Sequence, residues 1–167
     1  MSPVSAFVVL DAEPGEFAVG AWKNVLIVVW RTQATAPLVE RLDRAIASLA
    51  SRQPGLRSNV HVIAEGAALP TPEARAGFVA LMKRNADQLA CISIVVDGRG
   101  FWSSALRAAL TGIRLVTPRS FHYRLVASVE ETLRSLPLEH EERTGVRLDA
   151  NQLRTAIAAA QRAAAER

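Results

Sequence analysis

Val25–Trp30, which reads VLIVVW, decides the fold class of this chain. A short run of apolar residues with no polar alternation is typical of a strand that is buried on both faces. Residues 92–96 (ISIVV) have the same character, and residues 59–64 and 122–127 are further strand-like runs. Such strands occur in sheets that helices cover, so the sequence predicts an α/β fold. We expect residues 25–29 and 92–96 to form neighbouring central strands.

Between these strands the apolar spacing changes to about 3.6 residues, which predicts amphipathic helices. Thr35, Thr71 and Ser128 stand at N-cap positions of three of them, and a helix over residues 101–115 follows a glycine-containing loop. Pro137 is predicted to end the helix that Ser128 opens. Residues 6–22 read as two further strands, so the expected order is three strands, the first ones forming an antiparallel edge, and then alternating helices and strands in a mixed sheet.

The C-terminal part reads as an appendage to this sheet. We expect an α/β domain over residues 1–137 and a second segment, 138–167, made of a polar connector and one more helix. That helix, 149–164, has a thin apolar face of alanines with Leu153 and Ile157, so it must dock on something to be ordered. The two candidates are its own sheet and a neighbouring subunit. We favour the subunit, which predicts a homodimer through residues 149–164.

Composition limits the class of protein. The chain has 167 residues, of which 50% are hydrophobic and 22% charged, which suits a folded domain and not a disordered one. No apolar run approaches the roughly 20 residues of a membrane span, and the N-terminus lacks the basic start of a secretory signal. A single cysteine, Cys91, rules out an internal disulfide, and it suits a reducing compartment. We therefore expect a cytoplasmic protein without a transmembrane segment.

Motifs of catalysis or metal binding are not found. The three histidines, His61, His122 and His140, lack partners at metal-ligand spacing, and Cys91 opens a buried strand with no activating neighbour in sequence. Nucleophile elbows, phosphate-binding loops and zinc-protease motifs are absent from the sequence. We predict no catalytic residue, no metal and no cofactor, and hence a protein that is not an enzyme.

The order of elements resembles that of STAS-like domains, named for sulfate transporters and anti-sigma-factor antagonists, and is most similar to the small stand-alone bacterial STAS/SEC14-type proteins. The resemblance spans roughly residues 5–137. It implies a four- or five-stranded sheet with helices mainly on one face, and a regulatory role through protein binding. The segments that carry it are residues 17–22 with Val25–Trp30, residues 72–75, residues 92–98 leading into a helix, and residues 124–133.

The same resemblance implies a phosphorylated side chain. In anti-sigma-factor antagonists a phosphoacceptor Ser or Thr lies at the start of the helix that follows a central strand, in an Asp-Ser-Ser-Gly-like motif. The matching stretch here runs from Asp97 to Ser104, with the same residue types in a different order. The phosphoacceptors that the resemblance implies are Ser103 and Ser104.

Residues 97–100 (DGRG) are also a candidate binding loop. They join a central strand to a helix, where free N–H groups and the helix dipole favour an anion. Arg107 and Arg114 lie seven residues apart on one face of that helix, and a cluster with Arg99 would suit phosphate, an acidic protein or lipid headgroups. The plainer interpretations are an ordinary turn and a solvated helix face. The loop and cluster comprise Asp97, Gly98, Arg99, Gly100, Arg107 and Arg114, with Trp102 as either an interface anchor or a core residue.

Two classes of function remain open on these residues. The first is a non-catalytic regulatory or scaffolding domain that binds a protein partner and is switched by phosphorylation. The second is a module for an acidic small molecule or anionic lipid at Gly98, Gly100 and the arginines. Nucleic acid is not favoured, because no nucleic-acid-reading motif is present. An exposed apolar patch would indicate the first class, and an enclosed pocket lined by arginine the second.

Overall fold

The computed structural model describes residues 6–165, and within them the chain forms a six-stranded sheet and five α-helices. The α/β fold expected from the sequence is confirmed. The strands are β1 (Val8–Glu13), β2 (Phe17–Trp22), β3 (Val25–Trp30), β4 (Arg57–Ile63), β5 (Leu89–Val96) and β6 (His122–Val126). The helices are α1 (Ala36–Arg52), α2 (Pro72–Asn85), α3 (Phe101–Leu115), α4 (Val129–Thr144) and α5 (Ala150–Ala164), and the 3-10 turn Ala86–Gln88 follows α2.

The strands lie in the sheet in the order in which they occur along the chain. β1, β2 and β3 pair antiparallel, and β3 to β6 pair parallel, so the predicted antiparallel edge is present. β3 and β5 are buried on both faces as expected, but they are not neighbours, because β4 lies between them. β4 contains polar residues, among them Asn59 and His61, and for this reason its sequence did not indicate a central strand.

Helices cover both faces of the sheet. α1, α2 and α3 each connect one parallel strand to the next strand of the sheet. Because such connections are right-handed, and all three run in the same direction across the sheet, the three helices lie on one face. α4 and α5 cover the other face and form a second core with β2 to β6. The sheet therefore has six strands where the resemblance implied four or five, and its helices divide three to two between the faces.

The prediction that Pro137 ends α4 is wrong, since the helix continues to Thr144 and stops at Gly145, whose φ is +73°. A proline removes one N–H from the helix ladder, which a helix tolerates when packing holds the turns on both sides. Here Leu133 and His140, on either side of Pro137, are both buried. The proposed domain boundary after residue 137 thus falls inside a helix, and the polar connector shrinks to the residues between α4 and α5.

α5 docks on the sheet of its own chain, against β1, β2 and β3. Its apolar face, including Leu153, Ile157 and Ala160, is fully buried there, and the Gly15 N–H donates to Ala164 O at 2.9 Å. Asp149 caps the helix as predicted, since its carboxylate accepts from the Gln152 N–H at 2.8 Å. In this structure α5 takes the first of the two candidate positions, on its own sheet, and the homodimer through residues 149–164 stays a prediction. As to membranes, the longest apolar helical stretches between residues 6 and 165 fall short of what a bilayer crossing requires.

Candidate functional site

Two loops meet at the carboxyl ends of β4 and β5, and we call their residues 64–71 and 97–104 the carboxyl edge. The Trp102 indole N–H donates to Ala67 O and ties the start of α3 to the loop after β4. Gly98 has φ +105°, and a Cβ there would lie 3.2 Å from Glu65 Cγ. Glycine at this position therefore permits both the backbone conformation and the close approach of the two loops.

The carboxyl edge presents two large apolar side chains to solvent. Phe101, the first residue of α3, is 90% exposed. Leu69, in the loop that Trp102 holds against α3, is also exposed. Sequence reasoning singled out Trp102, which is half-buried and packs on the core, and missed Phe101. The available signal was the helical phase, because Phe101 lies about 100° away from the apolar stripe that contains Trp102.

The two candidate phosphoacceptors have different surroundings. Ser103 is buried, and its hydroxyl donates to Gly100 O at 3.1 Å. Ser104 is exposed, and its backbone N–H donates to the same carbonyl at 3.2 Å. Of the two hydroxyls, only that of Ser104 is open to a modifying enzyme in this conformation.

The predicted arginine cluster does not assemble into a free cationic surface. Arg107 donates to Val96 O at 3.1 Å and to Val126 O at 3.4 Å, and so fastens the ends of β5 and β6 together. Arg114 donates to Pro118 O at 2.6 Å, and its guanidinium lies 5.0 Å from the centre of the Phe121 ring. Both guanidinium groups are thus hydrogen-bonded to backbone carbonyls of the chain itself.

The binding loop itself remains exposed. The Asp97 carboxylate accepts from the Gly98 N–H at 2.8 Å, and Arg99 points outward. Gly100, with φ +89°, stands at the N-cap position of α3, where no side-chain oxygen caps the helix. The first N–H groups of α3 therefore have no side-chain cap, and Arg99 is the one arginine of the predicted cluster that stays exposed near the glycines.

An apolar cavity of about 60 Å³ lies between the sheet and the layer formed by α1, α2 and α3. Trp30, Phe78 and Tyr123 line it together with aliphatic side chains, and no arginine does. His61 Nδ1 accepts from Trp30 Nε1–H at 3.2 Å, and burial lowers the pKa of His61 to about 4, so the ring is neutral at pH 7. The side-chain amide oxygen of Asn59, Oδ1, has no hydrogen-bond partner among the residues described.

On the other face of the sheet, buried polar side chains form a hydrogen-bonded series, which no sequence motif indicated. The Asn24 amide donates to Leu56 O at 3.1 Å, so its oxygen is free to accept from His140 Nε2–H at 2.9 Å. His140 Nδ1 is therefore unprotonated, and it accepts from the Ser58 hydroxyl at 2.7 Å. Burial, aided by the charge of Lys23, lowers the pKa of His140 to about 4.

The series Ser58–His140–Asn24 contains the residue types of a nucleophile, a base and an orienting group, but Ser58 and His140 are both completely buried. A substrate has no access to the serine oxygen in this structure. Cys91 lies nearby, and burial raises the pKa of its thiol, so it is protonated at neutral pH. The arrangement links β4 and α4 and fixes a histidine tautomer.

Metal ligands are not grouped in the described part of the chain, where no cluster of three or more His, Cys, Asp or Glu side chains forms. Comparison of the chain with models of known protein families and with curated proteins finds no match. The resemblance to STAS-like domains thus stays a prediction from the sequence.

Proposed function

We propose that this chain is a non-catalytic, STAS-like regulatory or scaffolding domain that binds a protein partner at its carboxyl edge. The observation that carries the proposal is the 90% exposure of Phe101 on the first turn of α3. Burying a phenylalanine side chain contributes about 1.5–3 kcal/mol, and aromatic residues are the usual anchors of protein interfaces.

The surroundings of Phe101 suit a protein surface. Leu69 adds apolar area, and Arg99 and Ser104 supply polar groups at the rim. Gly100 leaves the backbone accessible, since a Cβ there would meet no atom within 4 Å. A partner could therefore contact both the apolar side chain and the main chain of the loop.

Phosphorylation of Ser104 would give this surface a switch. A phosphoserine carries about −1.5 to −2 charge at pH 7, and on the first turns of α3 it would be favoured by the helix dipole and by the charge of Arg99. The modification would leave the fold intact, because Ser104 is exposed. It would place a strongly hydrated group beside Phe101 and so weaken an apolar contact there.

The alternative, a module for an acidic small molecule or anionic lipid at Gly98 and Gly100, has less support. Arg107 and Arg114 are occupied by backbone carbonyls, which leaves Arg99 near the loop. The apolar cavity does not replace them, since its 60 Å³ is well below the roughly 300–1,000 Å³ of small-molecule pockets.

The test is affinity capture from the native cells with the wild type, with Phe101→Ser and with Leu138→Ser. Leu138 is a matched control, because it is also an exposed large apolar residue but lies on α4, which packs on the opposite face of the sheet. We expect a protein that the wild type and L138S retain and F101S loses. Titration calorimetry with that protein should show at least a tenfold weaker affinity for F101S. A partner that binds F101S as tightly as the wild type would contradict the proposed surface.

A further inference from the structure

A cleft of about 570 Å³ lies at the end of the sheet where the parallel strands begin, opposite to the carboxyl edge. Its walls come from the β2–β3 turn, the end of α1 with the loop into β4, and the end of α4. Three cationic residues, Lys23, Arg57 and Arg143, line this basic cleft, and none of its lining residues is acidic.

Arg57 is the most unusual of the three. It is only 2% exposed, and its Nε and Nη1 atoms are buried without a hydrogen-bond partner in residues 6–165. Its Nη2 has one long contact, 3.4 Å, with the Asn85 side-chain oxygen. Burial lowers the pKa of this guanidinium, since the charged form has lost its water. Buried charges are normally paired, so a guanidinium with two unpartnered nitrogens lacks a counter-charge.

The other two cations are only partly engaged. Arg143 Nη2 donates to Ser120 O at 2.6 Å, while its buried Nε has no partner within the described chain. Lys23 Nζ donates to Arg147 O at 3.2 Å and lies 5.0 Å from the centre of the Trp22 ring. No carboxylate among residues 6–165 lies within ion-pair distance of any of the three.

Helix dipoles do not supply the missing negative charge. α1 and α4 both end at the cleft, and each helix C-terminus corresponds to about half a negative charge. Together they offset about one of the three cations, which leaves a net positive cleft. A guanidinium presents parallel N–H donors that match the oxygens of a carboxylate or a phosphate.

We propose that the basic cleft binds a small organic anion whose carboxylate or phosphate group pairs with Arg57. Leu49 and Leu56 give the cleft an apolar wall, so we expect a ligand with a short hydrocarbon part next to its charged group. The cleft lies within the size range of small-molecule sites. This site does not depend on the protein partner proposed for the carboxyl edge, and either could exist without the other.

The probes are inorganic phosphate, butyl phosphate and butyrate, each compared with chloride at matched ionic strength by thermal unfolding and by calorimetric titration. Four chains are tested: the wild type, Arg57→Met, Lys23→Gln, and the control Arg75→Gln. Arg75 is an exposed arginine on the first turn of α2, which begins at the other end of the sheet, so its variant loses the same charge away from the cleft. Lys23→Gln carries the test if the buried Arg57→Met fails to fold.

We expect at least one probe to raise the melting temperature of the wild type and of R75Q in a dose-dependent manner. The shift should vanish in R57M and fall severalfold in K23Q, and butyl phosphate should bind more tightly than inorganic phosphate if phosphate is the preferred group. The stronger of butyl phosphate and butyrate identifies the charged group. A wild type that responds to none of the probes would overturn the proposal. So would a response that persists unchanged in R57M, or in K23Q where R57M does not fold.

Discussion

His140 and Ser58, which lie 82 positions apart in the chain, are joined by a 2.7 Å hydrogen bond inside the core. The Asn24 oxygen on the other ring nitrogen fixes the tautomer, so Nδ1 has only a lone pair to offer the serine hydroxyl. Protonation of the ring would reverse this bond, since Nδ1–H would then donate to the Ser58 oxygen, and it would place a charge in the core. The burial of the ring therefore gives the fold a sensitivity to acid.

The first prediction concerns this sensitivity. The pKa of His140 is about 4 in the folded chain and about 6.5 in the unfolded chain, so the unfolded state binds more protons between these values. The stability from the neutral ring is present above pH 6.5 and is lost as the pH falls towards 4, by up to about 3 kcal/mol. Urea unfolding at pH 7.5 and pH 4.5 should show a smaller loss in His140→Gln than in the wild type.

His122→Gln is the control for that experiment, because His122 is exposed on β6. It should keep the pH dependence of the wild type. His61 retains its own acid sensitivity in both variants, since burial also lowers its pKa to about 4. If H140Q lost as much stability in acid as H122Q does, the buried neutral ring would not be the source.

The second prediction concerns the core under α3. Ile94 is 7% exposed on β5 and faces the α1–α3 layer. Ile94→Ala should lower the free energy of unfolding by about 2–5 kcal/mol, because a buried methyl-rich side chain is replaced by a void. Chemical denaturation measures this loss. Leu138→Ala, at an exposed position, should change it by less than about 0.5 kcal/mol, and a similarly small effect at Ile94 would remove it from the core.

The third prediction concerns the docking of α5. Ala160 is completely buried, so the helix approaches the sheet too closely for a larger side chain. Ala160→Leu should destabilise the chain by about 1–3 kcal/mol through overpacking, whereas Gln161→Leu, one position further on the exposed side, should not. Thermal unfolding at several protein concentrations tests this. A melting temperature that rises with wild-type concentration would indicate that α5 docks on a second chain instead.

The fourth prediction separates the two serines at the start of α3. Ser104→Asp places a carboxylate on an exposed site near the positive helix end, and stability should stay within about 0.5 kcal/mol of the wild type. Ser103→Asp buries a carboxylate beside Gly100 O, which costs several times more. Chemical denaturation of both variants gives the comparison. Equal stabilities would mean that Ser103 is not enclosed as the structure has it.

Features set by neighbouring residues were predictable from the sequence. Thr71 and Ser128 accept from the Ala74 and Glu131 N–H groups, as N-caps should. Thr35 occupies the N-cap position of α1 but makes no side-chain cap hydrogen bond. The apolar runs of β3 and β5 were correctly predicted as buried strands, because hydrophobicity over a few residues is enough to indicate such a strand.

Features that depend on distant residues were not predictable. Pro137 reads as a helix end, and only the packing of His140 beyond it shows why α4 continues. Arg107 reads as a surface charge, and its carbonyl acceptors belong to two strands that the sequence places far away. The exposure of Phe101 likewise depends on a distant contact, because the neighbouring Trp102 is held by its hydrogen bond to Ala67 O in the loop after β4.

The sequential strand order has a consequence for synthesis on the ribosome. Every strand pairs with the one made just before it, so the sheet can grow one strand at a time as the chain emerges. However, α5 covers β1, β2 and β3 on one face, and it is translated after all six strands. Ile27 and Val29 on that face stay bare until residues 150–164 leave the exit tunnel. The nascent chain therefore passes through a stage with an exposed apolar sheet face, which is the kind of surface that chaperones bind.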